Sequence, residues 1–242
     1  MTKIFAHRGY SALYPENTLL AFSKAIEAGC DGIELDVHLT KDGEIAVIHD
    51  EDVRRTTDGA GLVADMTLSE LKSLSAGRGE RVPLLAEYFD IAGRADIITN
   101  IELKTDVIQY EGLEEKVVEL VLQRGLSGKV IFSSFHLPSV DRVMRLAPGM
   151  LCGYLFSPAL GLDWEAIAAR MRDNGVKFVH PNVRLVSKGF LAVARKYSIP
   201  FGVWTVNNVK SIRKMVEYGA YSVFTDDPTL LRQLPPAFSE LS

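Results

Sequence analysis

Short apolar runs alternate with longer stretches whose apolar residues recur at helical spacing, from one end of the chain to the other. That alternation is the signature of repeated strand–helix units and a parallel sheet. The strand-like runs are Ile4–Arg8, Gly32–Leu39, Glu44–His49, Ile98–Lys104, Val130–Phe135, Leu151–Phe156, Phe178–Pro181, Phe201–Val206 and Ser222–Thr225. Asn17–Ala28, Leu85–Gly93, Leu113–Arg124, Ser139–Leu146, Trp164–Asp173, Lys188–Tyr197, Val209–Tyr218 and a short Thr229–Leu234 read as helices. Several end in glycine, as at Gly29, Gly125, Gly175 and Gly219, the residue that most readily closes a helix.

Nine strands are one more than a (β/α)8 barrel, the TIM barrel, needs. The surplus has a local cause. Gly32–Leu39 and Glu44–His49 are joined by Thr40-Lys41-Asp42-Gly43, whose Asp-Gly step signals a hairpin. So short a loop forces antiparallel pairing, since a parallel return needs a crossover of a dozen or more residues. Glu44–His49 is therefore predicted to be the return arm of a hairpin, leaving eight parallel strands. One segment breaks the rhythm: Glu51–Arg81 is charged, rich in turns and helical only around Leu68–Leu74. It reads as an insertion on the barrel's catalytic face, a lid or substrate selector.

Composition narrows the picture. At 242 residues and 47% hydrophobic, residues 1–242 suit one barrel-sized domain with 51–81 inserted in it. A formal charge of −4 offers no basic footprint, so nucleic acid is not an expected partner. The start Met1-Thr2-Lys3-Ile4-Phe5-Ala6-His7-Arg8 has no apolar leader core, and no run reaches the ~18 apolar residues of a membrane span. Cys30 and Cys152 lack metal-ligand spacing and sit in apolar runs, so buried free thiols are expected. A reducing cytoplasm fits these features.

Polar residues collect at the C-terminal ends of the strands, where barrels of this class place catalytic groups. His7-Arg8, Glu34 with Asp36, Glu102 with Lys104, Ser133-Ser134, Trp204 and Thr225-Asp226-Asp227 all fall there. Period-2 alternation puts Glu34 and Asp36 on one face, and likewise Glu102 and Lys104. With neighbouring strands ~4.8 Å apart, three carboxylates can converge. Three anions need a cation or protons to share a buried pocket. All-oxygen ligation favours a hard divalent ion, Ca²⁺ or Mg²⁺, over zinc. The competing reading is an ion network in which Arg8 and Lys104 pair with the carboxylates.

The hairpin register carries His49 back beside the carboxylates, while His7 approaches from the other side. Two histidines at such a site suit a general acid and base pair. Arg8 and Lys104 offer positive charge to a phosphoryl oxygen, and Trp204 is placed as a wall of the substrate cleft. His38 is expected at the rim above the site, His136 and His180 as hydrogen-bonded loop residues. Asp226 and Asp227 are expected to cap the last helix before Pro228.

These residues belong to an ordered series of motifs. Ala6-His7-Arg8-Gly9, Pro15-Glu16-Asn17-Thr18, Gly32-Ile33-Glu34-Leu35-Asp36-Val37, Thr40-Lys41-Asp42-Gly43 and His49-Asp50 come first. Arg55-Thr56-Thr57, Asn100-Ile101-Glu102-Leu103-Lys104, Ser133-Ser134-Phe135, Val203-Trp204-Thr205-Val206-Asn207 and Thr225-Asp226-Asp227-Pro228 follow. The series spans nearly the whole chain and closely resembles the bacterial glycerophosphodiester phosphodiesterase family. The resemblance implies hydrolysis of glycerophosphodiesters, such as glycerophosphocholine, to glycerol 3-phosphate and an alcohol. It implies a divalent metal on Glu34, Asp36 and Glu102, His7 and His49 as the acid/base pair, and Arg8 and Lys104 on the phosphate. His38 stands where glutamine is more usual.

The expected chemistry is in-line displacement at phosphorus, with His7 as base and His49 as acid. That order, the attacking group (water or a substrate hydroxyl), the head group and the oligomeric state stay open. The nearest alternative is a lysophospholipase D acting on single-chain lipids. From other classes, Lys104 at a strand end admits a Schiff-base aldolase, and the same pocket admits a non-catalytic phosphodiester-binding protein.

Overall fold

A computed structural model describes residues 2–158 and 161–233 of the chain, the last three by backbone alone. Its strands are β1 (Lys3–His7), β2 (Gly32–Leu39), β3 (Ile45–Val47), β4 (Ile98–Leu103), β5 (Val130–Ser134), β6 (Leu151–Phe156), β7 (Phe178–Pro181), β8 (Gly202–Val203) and β9 (Ser222–Thr225). Its α-helices are α1 (Leu19–Glu27), α2 (Leu68–Ser73), α3 (Leu85–Ala92), α4 (Leu113–Gln123), α5 (Leu137–Leu146), α6 (Trp164–Asn174), α7 (Lys188–Lys196) and α8 (Val209–Glu217). The sheet runs in the order β7-β6-β5-β4-β2-β1-β9-β8, with β3 attached to β2 alone. Parallel bridges Val179–Phe201 and Asn182–Trp204 join β7 to β8 and bring the ring to near closure. Eight parallel strands with helices between them make the expected (β/α)8 barrel.

The hairpin is as the Asp-Gly turn predicts. β2 and β3 pair antiparallel with Val37 opposite Val47 and Leu39 opposite Ile45. The Ile48 N–H continues the ladder to the Asp36 carbonyl at 3.1 Å. Gly32 opens β2 where only hydrogen fits: a Cβ there would lie 2.7 Å from the Ile98 carbonyl and from the Phe5 ring.

Alternation sorts each strand into two faces. One face packs on the helices around Ile33, Leu35, Ile101, Leu103 and Phe132. The other fills the barrel with Phe5, Ile131, Phe178 and Phe224. Two residues further along β1, His7 shares the inward face with Phe5, so the polar layer lies directly on an apolar plug.

The segment following β3 has a small core of its own. Val53, Val63, Leu71 and Val82 pack against Ala46 and Ile48 of the hairpin. Its helix α2 is held by a Thr67–Glu70 capping box. The Asp42 carboxylate at the hairpin tip accepts the Leu68 N–H at 3.0 Å.

Several boundaries differ from the sequence expectation by a residue or more, β3 among them at Ile45–Val47, and three of the differences have a local cause. Helix α5 starts at Leu137 rather than Ser139, because Pro138 is tolerated in a first turn. β8 shortens to two residues because Phe201 and Trp204 turn to bridge β7. The last helix is a 3-10 turn, Pro228–Gln233, and Leu234 lies outside the described residues. Cys30 and Cys152 are free and buried. Among the described residues, no helix is long and apolar enough to cross a membrane.

Candidate active site

Strand register assembles the polar layer. His7 lies opposite Glu34, Glu34 opposite Asn100, and Asp36 opposite Glu102. One oxygen each from Glu34, Asp36 and Glu102 falls within 4.8 Å of the others, and all three side chains are buried. Asp36 accepts from Asn17 Nδ2 at 2.9 Å and lies 3.5 Å from Arg8 Nε. Its other oxygen, Oδ1, is buried and has no hydrogen-bond partner among the described residues.

Electrostatics divides the three carboxyls. Burial followed by repulsion from Asp36 and Glu102 pushes Glu34 well above the usual range. Burial, against the pull of Lys104, pushes Glu102 up to about 7. For Asp36, Arg8, His49, Lys104 and Asn17 outweigh burial and hold it at about 2. Both sequence readings are therefore met in part. Lys104 Nζ pairs with Glu102 at 2.8 Å and Arg8 with Asp36, yet the direct contacts of the Glu34 carboxylate among the described residues are His7 at 4.0 Å and the Arg8 backbone N–H at 3.0 Å. Two cations leave this trio under-compensated. A buried acidic triad with a free oxygen could bind a metal ion.

Arg8 is positioned by an unusual backbone. Its φ is +58°, a left-handed conformation costly for a residue with a Cβ. Gly9, at φ +80°, then passes so close to Ala21 that a Cβ would sit 2.7 Å from its backbone. This tight turn sends the guanidinium inward, where Nη1 donates to Glu16 at 2.9 Å.

Each site histidine is held by an aspartate. An ionised carboxylate only accepts, so His7 Nδ1–H donates to Asp226 at 2.6 Å and His49 Nδ1–H to Asp50 at 2.5 Å. Both Nε2 atoms are left to the site: His7 Nε2 is 4.0 Å from Glu34, and His49 Nε2 is 3.5 Å from Lys104 Nζ. Asp226 also accepts from Asn207 at 2.5 Å. Despite burial, the bond and charge from His7, with Asn207 and Ser11, bring Asp226 below the usual carboxylate range. Burial, then Lys104 and Arg8 acting against Asp36, push His49 below the ordinary imidazole value.

Three expectations need correction. Asp226 is not a helix cap. Its strand-end place beside β1, where Ala6 lies opposite Thr225, makes it the partner of His7, while Asp227 alone caps the 3-10 turn through Thr229 N at 2.9 Å. His38 is not on the rim; it is fully buried, with Nε2 donating to the His49 carbonyl at 3.1 Å and Nδ1 2.8 Å from the Tyr110 hydroxyl. His180 is inside the barrel rather than in a loop. Its Nδ1 is unpaired and burial pushes the ring down to about 3. His136 does bond as a loop residue, to Ser139 at 3.0 Å.

The mouth of the barrel holds a cleft of about 380 Å³. One wall is His7, Arg8, Glu34, His49, Asn100 and Glu102; the other is Phe135, Leu155, Trp204 and Phe224. Trp204 stands edge-on to Phe135 with ring centres 5.5 Å apart, fixed by its indole N–H to the His180 carbonyl at 2.7 Å. Asp36 lies behind this surface and Lys104 beside Glu102, so all eight sequence candidates come together. Sequence reasoning missed Asp226, Asp50 and Asn100. The last donates to Ser133 at 2.8 Å and keeps its side-chain oxygen unpaired. The signal was available: Asp50 adjoins His49, and Asn100 shares the inward face with Glu102.

Known proteins share this arrangement's scaffold. Residues 7–230 match the Glycerophosphoryl diester phosphodiesterase family. A glycerophosphodiester phosphodiesterase of Caldanaerobacter subterraneus subsp. tengcongensis is 40% identical over 240 residues, 96% of this chain and 97% of its own. The crystal structure of glycerophosphodiester phosphodiesterase from Thermotoga maritima superposes with a TM-score of 0.83 at 33% identity, covering 97% of this chain and 99% of that one. An Oleispira antarctica phosphodiesterase, in complex with the product sn-glycerol-3-phosphate, superposes at 0.84 with 28% identity and 96% of each chain covered.

Proposed function

The chain belongs to the glycerophosphoryl diester phosphodiesterase family and is an enzyme of that class, and on that premise we propose how its site works. Glu34, Asp36 and Glu102 hold a divalent cation, Arg8 and Lys104 bind the phosphoryl oxygens, and His7 and His49 move the protons. The products are glycerol 3-phosphate and an alcohol. One observation carries this reading: two histidines, each fixed at Nδ1 by an aspartate, flank three buried carboxylates, with His7 Nε2 4.0 Å from Glu34 and His49 Nε2 3.5 Å from Lys104. The product bound to the Oleispira enzyme supports the same chemistry on a related chain.

An all-oxygen donor set with Asp36 Oδ1 unpaired suits Ca²⁺ or Mg²⁺. Such an ion, when bound, supplies Lewis-acid stabilisation of charge on the phosphoryl oxygens. The protein's own groups do the rest. Arg8 and Lys104 orient the phosphodiester, and the Phe135–Trp204 wall excludes water from one side. Lys104 Nζ stands 3.5 Å from His49 Nε2, and burial with the nearby cations favours the neutral ring. We assign His49 the nucleophile's proton on that ground, with His7 delivering one to the leaving oxygen. This reverses the order expected from sequence.

A lysophospholipase D would use the same phosphodiester centre, and turnover of glycerophosphocholine against lysophosphatidylcholine separates the two substrate classes. A Schiff-base lysine needs a neutral amine, but Glu102 and Asp36 outweigh burial and raise Lys104 above its ordinary value. On this reading residues 1–242 work as one domain, with 51–81 as its insertion. The test is release of glycerol 3-phosphate from glycerophosphocholine by His7→Ala and His49→Ala. Turnover falls about 10²–10⁴-fold in each with the fold intact; wild-type rates in either would remove that histidine from the mechanism.

A further inference from the structure

Arg55 is held between two carboxylates and reaches the site only through them. It lies in the 3-10 turn Val53–Arg55, at the start of the insertion. Its Nη1 and Nη2 each donate to Glu16 at 2.8 Å. Its Nε and Nη2 donate to Asp50 at 2.5 and 3.0 Å. Each carboxylate in turn holds a residue assigned to the reaction. Glu16 accepts from Arg8 Nη1 at 2.9 Å, and Asp50 accepts from His49 Nδ1 at 2.5 Å.

We propose that Arg55 is a positioning residue that locks Arg8 and His49 in place together, making assembly of the site depend on the docked insertion. This rests on the roles given above to His49 and Arg8. The guanidinium fork engages both carboxylates at once, which a single ammonium cannot reproduce. Without Arg55, Glu16 has Arg8 as its remaining cationic partner and draws it outward. Asp50 loses two donors and rotates more freely, so the His49 ring loses a fixed acceptor. Arg54 is not a substitute, because its guanidinium lies against Asp52.

Fold stability is not where Arg55 acts. Its side chain is 47% exposed, and exposed ion pairs contribute little. The insertion has separate anchors in Val53, Val63 and Leu71 and in the Asp42–Leu68 bond.

The experiment compares Arg55→Ala, Arg55→Lys, Asp50→Asn and the Asp50→Asn/Arg55→Ala double variant with His49→Ala as the control, on glycerophosphocholine with saturating Mg²⁺. Arg55→Ala lowers kcat by about ten- to a hundredfold, the scale of a catalytic group displaced by about 1 Å, with the melting temperature nearly unchanged. Arg55→Lys recovers part of the loss. The double variant loses less than the product of the single effects, because both residues act through His49. Wild-type kcat in Arg55→Ala, a loss matched by lost folded protein, or multiplicative losses in the double variant would each overturn the proposal. If His49→Ala itself keeps full turnover, the reading of His49 fails instead.

Discussion

Replacing Glu34 with glutamine should stabilise the metal-free protein and abolish its response to metal. Oxygens of Glu34, Asp36 and Glu102 lie within 4.8 Å of one another, and unit charges at that distance repel by roughly 3.5 kcal/mol at an effective dielectric of about 20. The direct ion pairs of Arg8 and Lys104 fall on Asp36 and Glu102, so Glu34 carries much of the excess. Glutamine keeps an oxygen to accept the Arg8 N–H that Glu34 accepts at 3.0 Å. A net gain of roughly 1–3 kcal/mol is expected at neutral pH in EDTA, or roughly 2–12 °C in melting temperature for a chain of this size.

The pH dependence follows from the direction of the shift. Glu34 has a folded-state pKa above its unfolded value. Its destabilising effect is absent below the unfolded value of about 4.3, grows as pH rises toward the folded value, and is complete above it. The gap between variant and wild type therefore closes on acidification. Metal at about 100 times its Kd adds about 2.7 kcal/mol to the wild type and nothing comparable to the variant. The assay is thermal unfolding in EDTA and in Mg²⁺ or Ca²⁺. A variant that melts lower than wild type in EDTA, or that keeps the full metal shift, refutes the reasoning.

Two further outcomes follow from the same geometry. Asp226→Asn can offer an amide N–H to His7 Nδ1 and hold the wrong tautomer, so steady-state kinetics should show kcat about ten- to a thousandfold lower; an unchanged kcat would mean that the 2.6 Å bond does not matter. Burial pushes the Cys30 and Cys152 thiols up to about 12, so the native protein at pH 8 should react slowly with a disulfide reagent and release both thiols only on unfolding. Fast native labelling would contradict their burial.

Much of the scaffold was legible because it depends on periodicity. Alternation along Gly32–Leu39 and Ile98–Lys104 identifies the inward carboxylates before any coordinates. The Asp42-Gly43 turn sets the register that returns His49. Periodicity names a face but not a partner across the ring. Asp226 looks like a cap when judged against Pro228, and only the closing of β9 onto β1 shows it beside His7. His38 fails for a related reason: a polar residue near a hairpin suggests solvent, whereas Tyr110 and the His49 carbonyl satisfy it in the interior. Glu16, Asp50 and Arg55 were visible as motif residues, but their shared contacts arise where the β1–α1 loop meets the segment following β3.

A divalent cation held by Glu34, Asp36 and Glu102 is proposed to enable hydrolysis of glycerophosphodiesters at this site. The most direct test of this proposal is glycerol 3-phosphate release from glycerophosphocholine by protein stripped with EDTA, then supplied with Mg²⁺ or Ca²⁺. Turnover near background after stripping, restored by one of these ions, is the predicted result. Full turnover in EDTA would contradict it.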